Sequence, residues 1–492
     1  MSRMKFAAWV VVGFAICSLA ACGGASNKKA SMPEGKIPIT TSSDEALEAY
    51  LKGRWLLENL RVTDAHDYFV AAVAADPGFA LAHLGVANTS PTAQEFFAAM
   101  RQAVDTSSGA SEGEQLQIAA FEAGVNGEPE VQLSNLEALV AAYPEDERVQ
   151  NMLGTYYFGQ QNWEKAIAHY RAAIEINPEF PAPFNQLGYA LRFVGDYPGA
   201  EEVFERYTEL IPDQPNPYDS QAELLMKMGR YEDSIASYER ALEIDPNFAN
   251  SYVGIANNQM FMGSLDDARE TLTRLEAIAR NDGERRQVCT WTAVSYLYQE
   301  DFDLALAEIQ RRYDIAAEID DRTAMSADLN LMGDILLRAG RADEALEKYD
   351  ASVEMAASSD ATQEVKDAVE RNVDFDLARV ALWNGDVALA AELAAEYSAD
   401  VDVHEIRFEV QQSHELNGMV ALAEGNPEDA LMQLEQANQQ NPQVWLLKAR
   451  AFAIMGDKES ARMACEQVIN FNQLSVNLGM VRNTAAEMLE TL

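Results

Sequence analysis

The segment ERVQNMLGTYYFGQQNWEKAIAHYRAAIEINP, residues 147–178, introduces a pattern that occurs twice more directly after it. The next copies are PAPFNQLGYALRFVGDYPGAEEVFERYTELIP, residues 181–212, and PNPYDSQAELLMKMGRYEDSIASYERALEIDP, residues 215–246. Their closing prolines, at positions 178, 212 and 246, recur every 34 residues. Apolar residues at helical spacing predict two amphipathic helices in each copy. A proline ends the second helix because it lacks the N–H that a helix interior requires.

This 34-residue pattern resembles the tetratricopeptide repeat, a pair of antiparallel helices. The repeat has a small residue in each helix, where the neighbouring helix comes close, and an aromatic residue between the helices. The matching residues are Gly154, Gly188, Ala166, Ala200, Tyr170, Phe204 and Tyr238. The resemblance implies an all-α fold, an α-solenoid in which helix pairs stack into a superhelix. First helices are then expected to line its concave inner face.

Weaker copies of the pattern extend to both sides and cover nearly all of the chain after residue 45. The spacing loosens near Asp282 and Ser358. The last segment, NLGMVRNTAAEMLETL, residues 477–492, is predicted to be a solvated capping helix. The predicted regions are partly degenerate N-terminal repeats at 46–143, regular tetratricopeptide repeats at 147–280, and tetratricopeptide-like repeats with the capping helix at 286–492.

Residues 1–21 have the layout of an export signal, in which Arg3 and Lys5 precede a short apolar run that ends in small residues. The run is shorter than the roughly 20 apolar residues of a membrane-spanning helix. LAAC, residues 19–22, resembles the bacterial lipobox, which implies cleavage before Cys22 and acylation of its sulfur. By resemblance, the chain is identified as a bacterial tetratricopeptide repeat lipoprotein. The alternative is a plain secretory signal with a chance cysteine.

The residues after Cys22 indicate in which membrane and leaflet a lipoprotein of this kind is anchored. By the same resemblance, Gly23 is not the aspartate that retains lipoproteins in the inner membrane, so the outer membrane is favoured. GGASNKK, residues 23–29, lacks the acidic run of some surface-exported lipoproteins, which favours the periplasm-facing leaflet. Residues 22–45 are rich in Gly, Ser, Pro and Lys and offer little to bury, so they are predicted to form a flexible tether.

The net charge of −42 argues against nucleic acid as a partner, because a chain this acidic lacks the electrostatic footprint of a phosphate-binding protein. The acidic residues are spread along the chain, which favours solvated helix faces over an acidic tail. Besides Cys22, the chain after the signal contains Cys289 and Cys465. Both fall in predicted helices of distant repeats, so we expect small core residues and no disulfide.

Three stretches imitate catalytic or metal-binding motifs. GASEG, residues 109–113, matches G-x-S-x-G, but the strand that this motif needs is absent, and Ser111 with Glu114 fits a helix capping box better. HELNG, residues 414–418, has Gly418 where a zinc protease has its second histidine. His404 with Asp400 and Asp402 is a weak cluster, more typical of a wet loop than of a metal site. We therefore expect no catalytic residues, no metal site and no cofactor, and a protein that is not an enzyme.

The predicted inner face offers residues for binding a partner. Aromatic residues stand one step before the turn between helices, where the repeat family usually has a polar residue, and cations lie along the same face. The predicted partner-binding residues are Arg148, Arg192, Phe193, Lys227, Phe261, Tyr298 and Trp383. Aromatic and arginine side chains are enriched where binding energy concentrates. The alternative is that the aromatic residues only pack against adjacent helices.

A carboxylate clamp, as some tetratricopeptide domains have, is not predicted, because its cations are missing. At the matching places stand Asn151, Thr155, Gln186, Asn216 and Ser220.

Two candidate functions remain for the protein. The first is a non-catalytic, membrane-anchored scaffold of the bacterial cell envelope that binds other envelope proteins or peptides through the concave face. The second is a ligand-binding module that captures a peptide or glycan inside the superhelix, which predicts one enclosed pocket with convergent polar groups.

Overall fold

The computed structural model describes residues 28–29, 34–404 and 406–492. The predicted signal at 1–21 and the acylated Cys22 lie outside these residues, and so does the side chain of His404. Within them, 25 α-helices follow one another, with a 3₁₀ turn at Ser107–Gly109. Two-residue strands, β1 (Lys28–Lys29) and β2 (Thr40–Thr41), pair antiparallel.

The first fourteen helices cover the N-terminal and regular repeats. They are α1 (Asp44–Glu58), α2 (Val62–Ala75), α3 (Ala80–Thr89), α4 (Ala93–Thr106), α5 (Glu112–Val125), α6 (Pro129–Ala142), α7 (Glu147–Gly159), α8 (Trp163–Ile176), α9 (Ala182–Phe193), α10 (Tyr197–Leu210), α11 (Asn216–Lys227), α12 (Tyr231–Ile244), α13 (Ala249–Phe261) and α14 (Leu265–Ile278).

Longer helices begin at Asp282, where the sequence spacing loosens. They are α15 (Asp282–Leu297), α16 (Phe302–Glu318), α17 (Arg322–Arg338), α18 (Ala342–Ala357), α19 (Gln363–Trp383), α20 (Val387–His404) and α21 (Arg407–Ala423). Shorter helices follow: α22 (Pro427–Leu434), α23 (Pro442–Ile454), α24 (Lys458–Ile469) and the terminal α25 (Val476–Thr491).

Helices α1 to α24 pack as twelve successive pairs, and each pair also packs against the next. The core runs lengthwise because one helix pair cannot bury its apolar face alone. Ala166 and Ala200 are fully buried, and so are the aromatic rings of Tyr170 and Phe204 between the helices. The predicted all-α tetratricopeptide-type solenoid is confirmed.

Close helix approach requires glycine at one position of the first helices. A Cβ added at Gly154 would lie 2.6 Å from the ring of Tyr170, and one at Gly254 would overlap the ring of Tyr238. Gly159 ends the same helix as Gly154, but a Cβ there would meet nothing within 4 Å. The predicted role of the small residue is therefore confirmed at Gly154, and Gly254 has the same role.

We expect Gly254→Ala to destabilise its repeat by about 1–3 kcal/mol, because the added methyl group forces Tyr238 out of its place. Gly159→Ala is the matched control, and it should be neutral or stabilise its helix by up to about 1 kcal/mol. Native-state hydrogen exchange of helices α11 to α14 measures the difference. Equal exchange in the two variants would contradict the close approach.

Successive turns of the superhelix also contact each other. The contacts link residues between 216 and 277 positions apart in the chain. They join Arg280 to Asp64 at 2.9 Å, the Ala93 N–H to Asp321 at 2.8 Å, and the Gln161 amide to Asn438 at 3.2 Å. The N-terminal repeats thus lie directly against the C-terminal repeats.

The described part of the predicted tether is packed against the solenoid. Ile39 is 1% exposed, the Ile37 N–H donates to Asp146 at 3.0 Å, and the Thr40 N–H donates to Glu114 at 2.8 Å. The prediction of a flexible segment as far as residue 45 is therefore wrong for residues 36–43. Two buried isoleucines, and backbone N–H groups bonded to carboxylates, hold residues 36–43 in place, and we call this segment the strap. The low-complexity composition of the flanking sequence provided no sign of these contacts.

Several local predictions are confirmed. Ser111 and Glu114 form a complete capping box at the start of α5. Cys289 and Cys465 are both buried and free, and burial raises the pKa of each thiol. Gly418 is a small repeat position, because a Cβ there would lie 2.7 Å from Leu434.

Candidate functional site

The terminal helix α25 lies inside the superhelix rather than at its end. It packs against α15 and α23, and its buried residues include Leu478 and Val481. The Asn483 amide donates to the Tyr298 carbonyl at 2.9 Å, and Arg338 of α17 donates to the Met480 carbonyl at 2.8 Å. The prediction of a solvated capping helix is therefore wrong: its apolar face fills the inner side of the middle repeats.

Two predicted groove aromatics are covered by this helix. Phe261 is 6% exposed and Tyr298 is 9% exposed. The guanidinium of Arg482 lies 5.6 Å from the ring centre of Phe261 and 5.8 Å from that of Tyr298. Phe261 and Tyr298 therefore pack against α25 within the chain, as the packing alternative describes.

The segment just before α25 contacts Lys227. The Lys227 ammonium donates to the Phe471 carbonyl at 2.7 Å and lies 4.6 Å from the centre of the Phe471 ring. Burial, with a smaller contribution from the charge of Arg192, lowers the pKa of Lys227 to about 8. The Tyr231 hydroxyl donates to Asn472 at 2.7 Å. Lys227 thus already has a partner within the chain.

Arg192 and Phe193 are held by neighbouring repeats. Arg192 is 6% exposed, pairs with Glu223 at 3.1 Å, and lies over the ring of Tyr189. Phe193 is half-buried and stacks on Trp163 with ring centres 4.7 Å apart. Because Trp163 lies on α8 and Phe193 on α9, this stack joins two neighbouring repeats.

Arg148 joins the N-terminal repeats to the regular ones. Its guanidinium pairs with Glu58 at 2.6 Å and with Glu147 at 2.7 Å, and it lies 4.9 Å from the ring centre of Phe180.

Trp383 differs from the other predicted residues, since it is 51% exposed and lines a cavity. For all seven residues, partner binding stays a prediction.

The cavity has a volume of about 810 Å³ and lies on the inner face of the C-terminal repeats. Its walls come from the first helices α17, α19, α21 and α23, and α25 closes one side. A volume of this size is typical of sites that bury a drug-sized ligand. The predicted residues from the earlier repeats do not reach it.

One wall of the cavity is a connected polar network. The amides of Asn330 and Asn372 both donate to Asp376, at 2.9 and 3.0 Å. Arg379 donates to the same carboxylate at 2.6 Å and to Asp334 at 2.7 Å. The side chains of this wall are therefore fixed in position by one another.

Basic side chains of α17 and α23 also line the cavity, next to α25. Arg338 donates to the Thr484 hydroxyl at 2.6 Å, which holds its guanidinium beside α25. Arg450 of α23 also lines the cavity, and burial together with the charge of Arg338 lowers its pKa. The lining contains three carboxylates and three guanidinium groups, whereas the whole chain has 79 acidic and 37 basic residues.

Glu415 is a buried carboxyl group in the cavity wall. It is 6% exposed and accepts a hydrogen bond from the Asn441 amide at 2.9 Å. Burial raises its pKa to about 7, against the opposing effect of the Arg379 charge. Burial and the charge of Asp334 likewise raise the pKa of Asp376 to about 7. Both acids therefore prefer the protonated form more than an ordinary carboxyl group does.

We expect this burial to make stability fall as the pH rises. The unfolded chain releases the Glu415 proton near pH 4.5, whereas the folded chain holds it until about pH 7. Rising pH across this window therefore favours the unfolded state, and the cost is complete above pH 7. The shift corresponds to about 3 kcal/mol. Glu415→Gln should remove this loss while keeping an acceptor for Asn441.

The measurement is the local stability of helices α21 to α23 by hydrogen exchange at several pH values between 4 and 8. The matched control is Glu209→Gln, because the Glu209 side chain is 66% exposed. Only Glu415→Gln should flatten the pH dependence. The same dependence in both variants would contradict the buried position of Glu415.

The other predicted motifs have structural roles. His414 contacts the Gln433 side chain at 2.7 Å. Among the described residues, no group of three or more His, Cys, Asp or Glu side chains is placed to hold a metal ion. Nor does any helix in that part of the chain combine the length and apolar character needed to cross a membrane.

The polar wall was missed in the sequence, although a signal for it exists. Asn330 and Asp334 are four residues apart on α17, and Asn372 and Asp376 are four residues apart on α19. Residues at this spacing share one helix face. The same pair of residue types on first helices of adjacent repeats indicates a shared inner surface.

Comparison with known proteins supports the repeat assignment. Family models described as tetratricopeptide repeat match residues 185–247, 225–290 and 442–473, and one described as TPR repeat matches residues 154–192. No curated protein sequence matches the chain.

Two solved structures are similar to parts of the chain. The crystal structure of MamA protein is 17% identical and covers 34% of this chain and 91% of its own, with a TM-score of 0.28. A tetratricopeptide repeat protein from Parabacteroides merdae ATCC 43184 is 15% identical and covers 52% of this chain and 96% of its own, with a TM-score of 0.36. The family matches, the close approach at Gly154 and the twelve stacked helix pairs agree: residues 154–290 and 442–473 carry tetratricopeptide repeats within an all-α solenoid.

Proposed function

We propose that this protein is a non-catalytic scaffold of the bacterial cell envelope, anchored in the outer membrane through acylated Cys22 and facing the periplasm. The tetratricopeptide repeats support protein partners in general. The anchor rests on the lipobox-like sequence LAAC at residues 19–22 and the signal layout before it. Each buried acyl CH₂ contributes about 0.8 kcal/mol to membrane binding, so two or three chains hold firmly.

The strap supports an arrangement in which the body stays close to its anchor. Residue 36, which is bound to Glu147, stands only fourteen positions after Cys22. Lys28–Lys29 also pairs with Thr40–Thr41 on the strap, so few positions separate Cys22 from the first residues held against the solenoid. Under this proposal the N-terminal repeats lie close to the anchor.

The main support for a binding site on the inner face is the cavity lined by α17, α19, α21, α23 and α25. Its size and convergent polar groups are what the second function, capture of a ligand inside the superhelix, requires, although the cavity is partly open to solvent. The two functions are compatible here, because a scaffold can hold a partner by one segment seated in this cavity. The groove of the middle repeats is occupied by α25 and offers less accessible surface.

We expect Cys22→Ala to block acylation and to move the protein out of the membrane fraction. The measurement is incorporation of labelled palmitate, followed by separation of membranes. Cys17→Ala is the matched control, because it changes a cysteine of the same signal without changing LAAC. Release of the Cys22 variant alone supports the anchor. A Cys22 variant that stays in outer membranes without a label would contradict the lipoprotein proposal.

Scaffold function is tested by capture from gently solubilised membranes. The acylated protein should retain a reproducible set of envelope proteins, identified by mass spectrometry. An empty capture from membranes that contain the protein at its natural level would contradict a scaffold role.

A further inference from the structure

The outer face of α2 differs from the outer faces of the regular repeats. The ring that lies between the two helices of a repeat sets the register, and in α2 this ring is Phe69. One position and five positions after it, α2 has Val70 and Ala74, and both are exposed. The regular repeats have exposed charged residues at the same two positions: Arg171, Glu205 and Glu239 at the first, and Glu175, Glu209 and Glu243 at the second.

The uncharged surface extends along the C-terminal half of α2. From Tyr68 to Ala75 the helix contains no charged side chain. Tyr68 is 40% exposed and Val70 is 43% exposed. Exposed apolar surface that is contiguous, unlike scattered single residues, marks an interaction site. The exposed residues, which we call the α2 outer patch, are Tyr68, Val70, Ala71, Ala74, Pro77 and Gly78.

The charged half of α2 faces the next turn of the superhelix. Asp64 pairs with Arg280 at 2.9 Å, and the Thr63 hydroxyl donates to Glu284 at 3.1 Å. Asp67 is the last charged residue of the helix. The N-terminal half is therefore held by contacts within the chain, whereas the α2 outer patch stays exposed on the outside of the superhelix.

The chain that leads to Cys22 leaves the body beside this patch. Asp76 follows α2 directly, and its carboxylate accepts hydrogen bonds from the Thr41 hydroxyl at 2.6 Å and from the Ser42 N–H at 2.7 Å. Lys28 pairs with Thr41 in the short antiparallel sheet. Six positions separate Lys28 from Cys22, and a chain of this length spans about 20 Å at most. Helix α2, with 14 residues, is about 21 Å long, so an anchor at Cys22 lies within one helix length of the patch.

A lipid bilayer is the contact that this position favours. Anionic headgroups repel the charged, mainly acidic outer faces of the regular repeats, whereas the uncharged patch next to the anchor is not repelled. Tyrosine is enriched at membrane–water interfaces, because its ring is apolar and its hydroxyl stays in water. The acyl chains provide the affinity, so the patch needs only to set the orientation.

We propose that the α2 outer patch rests on the membrane surface and, together with acylated Cys22, fixes which side of the solenoid faces the bilayer. This inference rests on the proposed lipid anchor and adds a second contact to it. Because α2 is the second helix of its repeat, the patch lies on the outside of the superhelix, and the contact leaves the inner face free.

The test places a fluorescent probe on the patch. Ala74→Cys is labelled with the environment-sensitive fluorophore NBD, and Cys289 and Cys465 react little because they are buried and the pKa of each thiol is raised. The acylated full chain is reconstituted into vesicles of phosphatidylethanolamine and phosphatidylglycerol that contain a lipid with a nitroxide near its headgroup. A helix face at the interface lies about 5–10 Å deep, so the nitroxide should quench the probe strongly.

Glu209→Cys, labelled in the same way, is the matched control, because Glu209 has the same register on α10 as Ala74 on α2. Its probe should stay unquenched and keep the emission of a fluorophore in water. Equal quenching at the two positions, or none at position 74, would overturn the proposal.

A charge variant separates membrane contact from mere closeness to the anchor. The probe is moved to Ala71→Cys, and Val70→Glu with Ala74→Glu introduces the residues that α10 has at these positions, which the repeat fold tolerates. Quenching should fall to the level of the Glu209 control while the protein stays on the vesicles. Unchanged quenching would show that the tether alone holds the probe near lipid, and the proposal would be wrong.

A second copy of the chain is the competing occupant. The labelled Cys22→Ala chain without lipid should show emission that does not depend on protein concentration. A blue shift that grows with concentration would assign the patch to self-association and would contradict the membrane contact.

Failure of this inference is distinguishable from failure of the proposed function. The mass of the purified chain shows whether Cys22 is acylated before any vesicle is added. Acylated protein with an unquenched patch refutes the membrane contact and leaves the lipid anchor standing. A chain without acyl groups contradicts the proposed anchor, and the inference fails with it.

Discussion

Asp328→Ala should lower the local stability of helices α15 to α18 by about 3 kcal/mol, because it leaves two partly buried cations without the buried anion that pairs them. Asp328 is fully buried and accepts two hydrogen bonds from Arg286, at 2.7 and 3.1 Å. Arg312 lies at 3.1 Å from the same carboxylate. One acid thus joins the three consecutive helices α15, α16 and α17.

The readout is native-state hydrogen exchange, since a solenoid of this length does not unfold in one step. Protection should fall in α15 to α18 and stay unchanged in α7 to α10. Asp266→Ala is the matched control: its side chain is 96% exposed and pairs with Arg269 three residues away. Such surface pairs contribute about 0–1 kcal/mol. Equal effects of the two variants would contradict a buried ionic junction.

Leu478→Ala should destabilise the contact between α25 and the middle repeats by about 2–5 kcal/mol. Leu478 is fully buried, and it belongs to the core cluster that contains Phe261 and Tyr298. The lost contacts and the cavity left behind both add to the cost. Exchange should accelerate in α25 and at the ends of α13 and α15.

The control for this variant is Leu304→Ala, which removes the same atoms from a leucine that is 44% exposed. Exposed sites away from special features change stability by about 0.5 kcal/mol or less. If Leu478→Ala behaved like Leu304→Ala, α25 would not be packed inside the superhelix.

The repeat architecture could be predicted because its signals are local. The spacing between Gly154 and Tyr170, and the capping box of Ser111 and Glu114, involve residues at most sixteen positions apart. Each signal also has a single physical interpretation. The ring of Tyr170 needs the space that a glycine leaves, and the free N–H groups at the start of α5 need the side-chain acceptors of the capping box. The solenoid then follows from stacking alone.

The inner surface could not be predicted in the same way, because its contacts join distant segments. Lys227 meets the Phe471 carbonyl 244 positions later, and Arg148 meets Glu58 90 positions earlier. An amphipathic pattern in α25 shows that one face is apolar but does not say which helices cover it. The same limit applies to the strap, whose two isoleucines pack only once the helices around Asp146 are in place.

Helix α25 fills the middle of the concave face, which leaves the cavity beside Trp383 as the accessible part of the inner surface. Hydrogen exchange of residues 476–491 in the intact chain tests it most directly. We predict that these amides exchange as slowly as those of α15, against which α25 packs. Fast exchange across the whole of α25, with slow exchange in α15, would contradict the claim and would return Phe261, Tyr298 and Lys227 to the open groove.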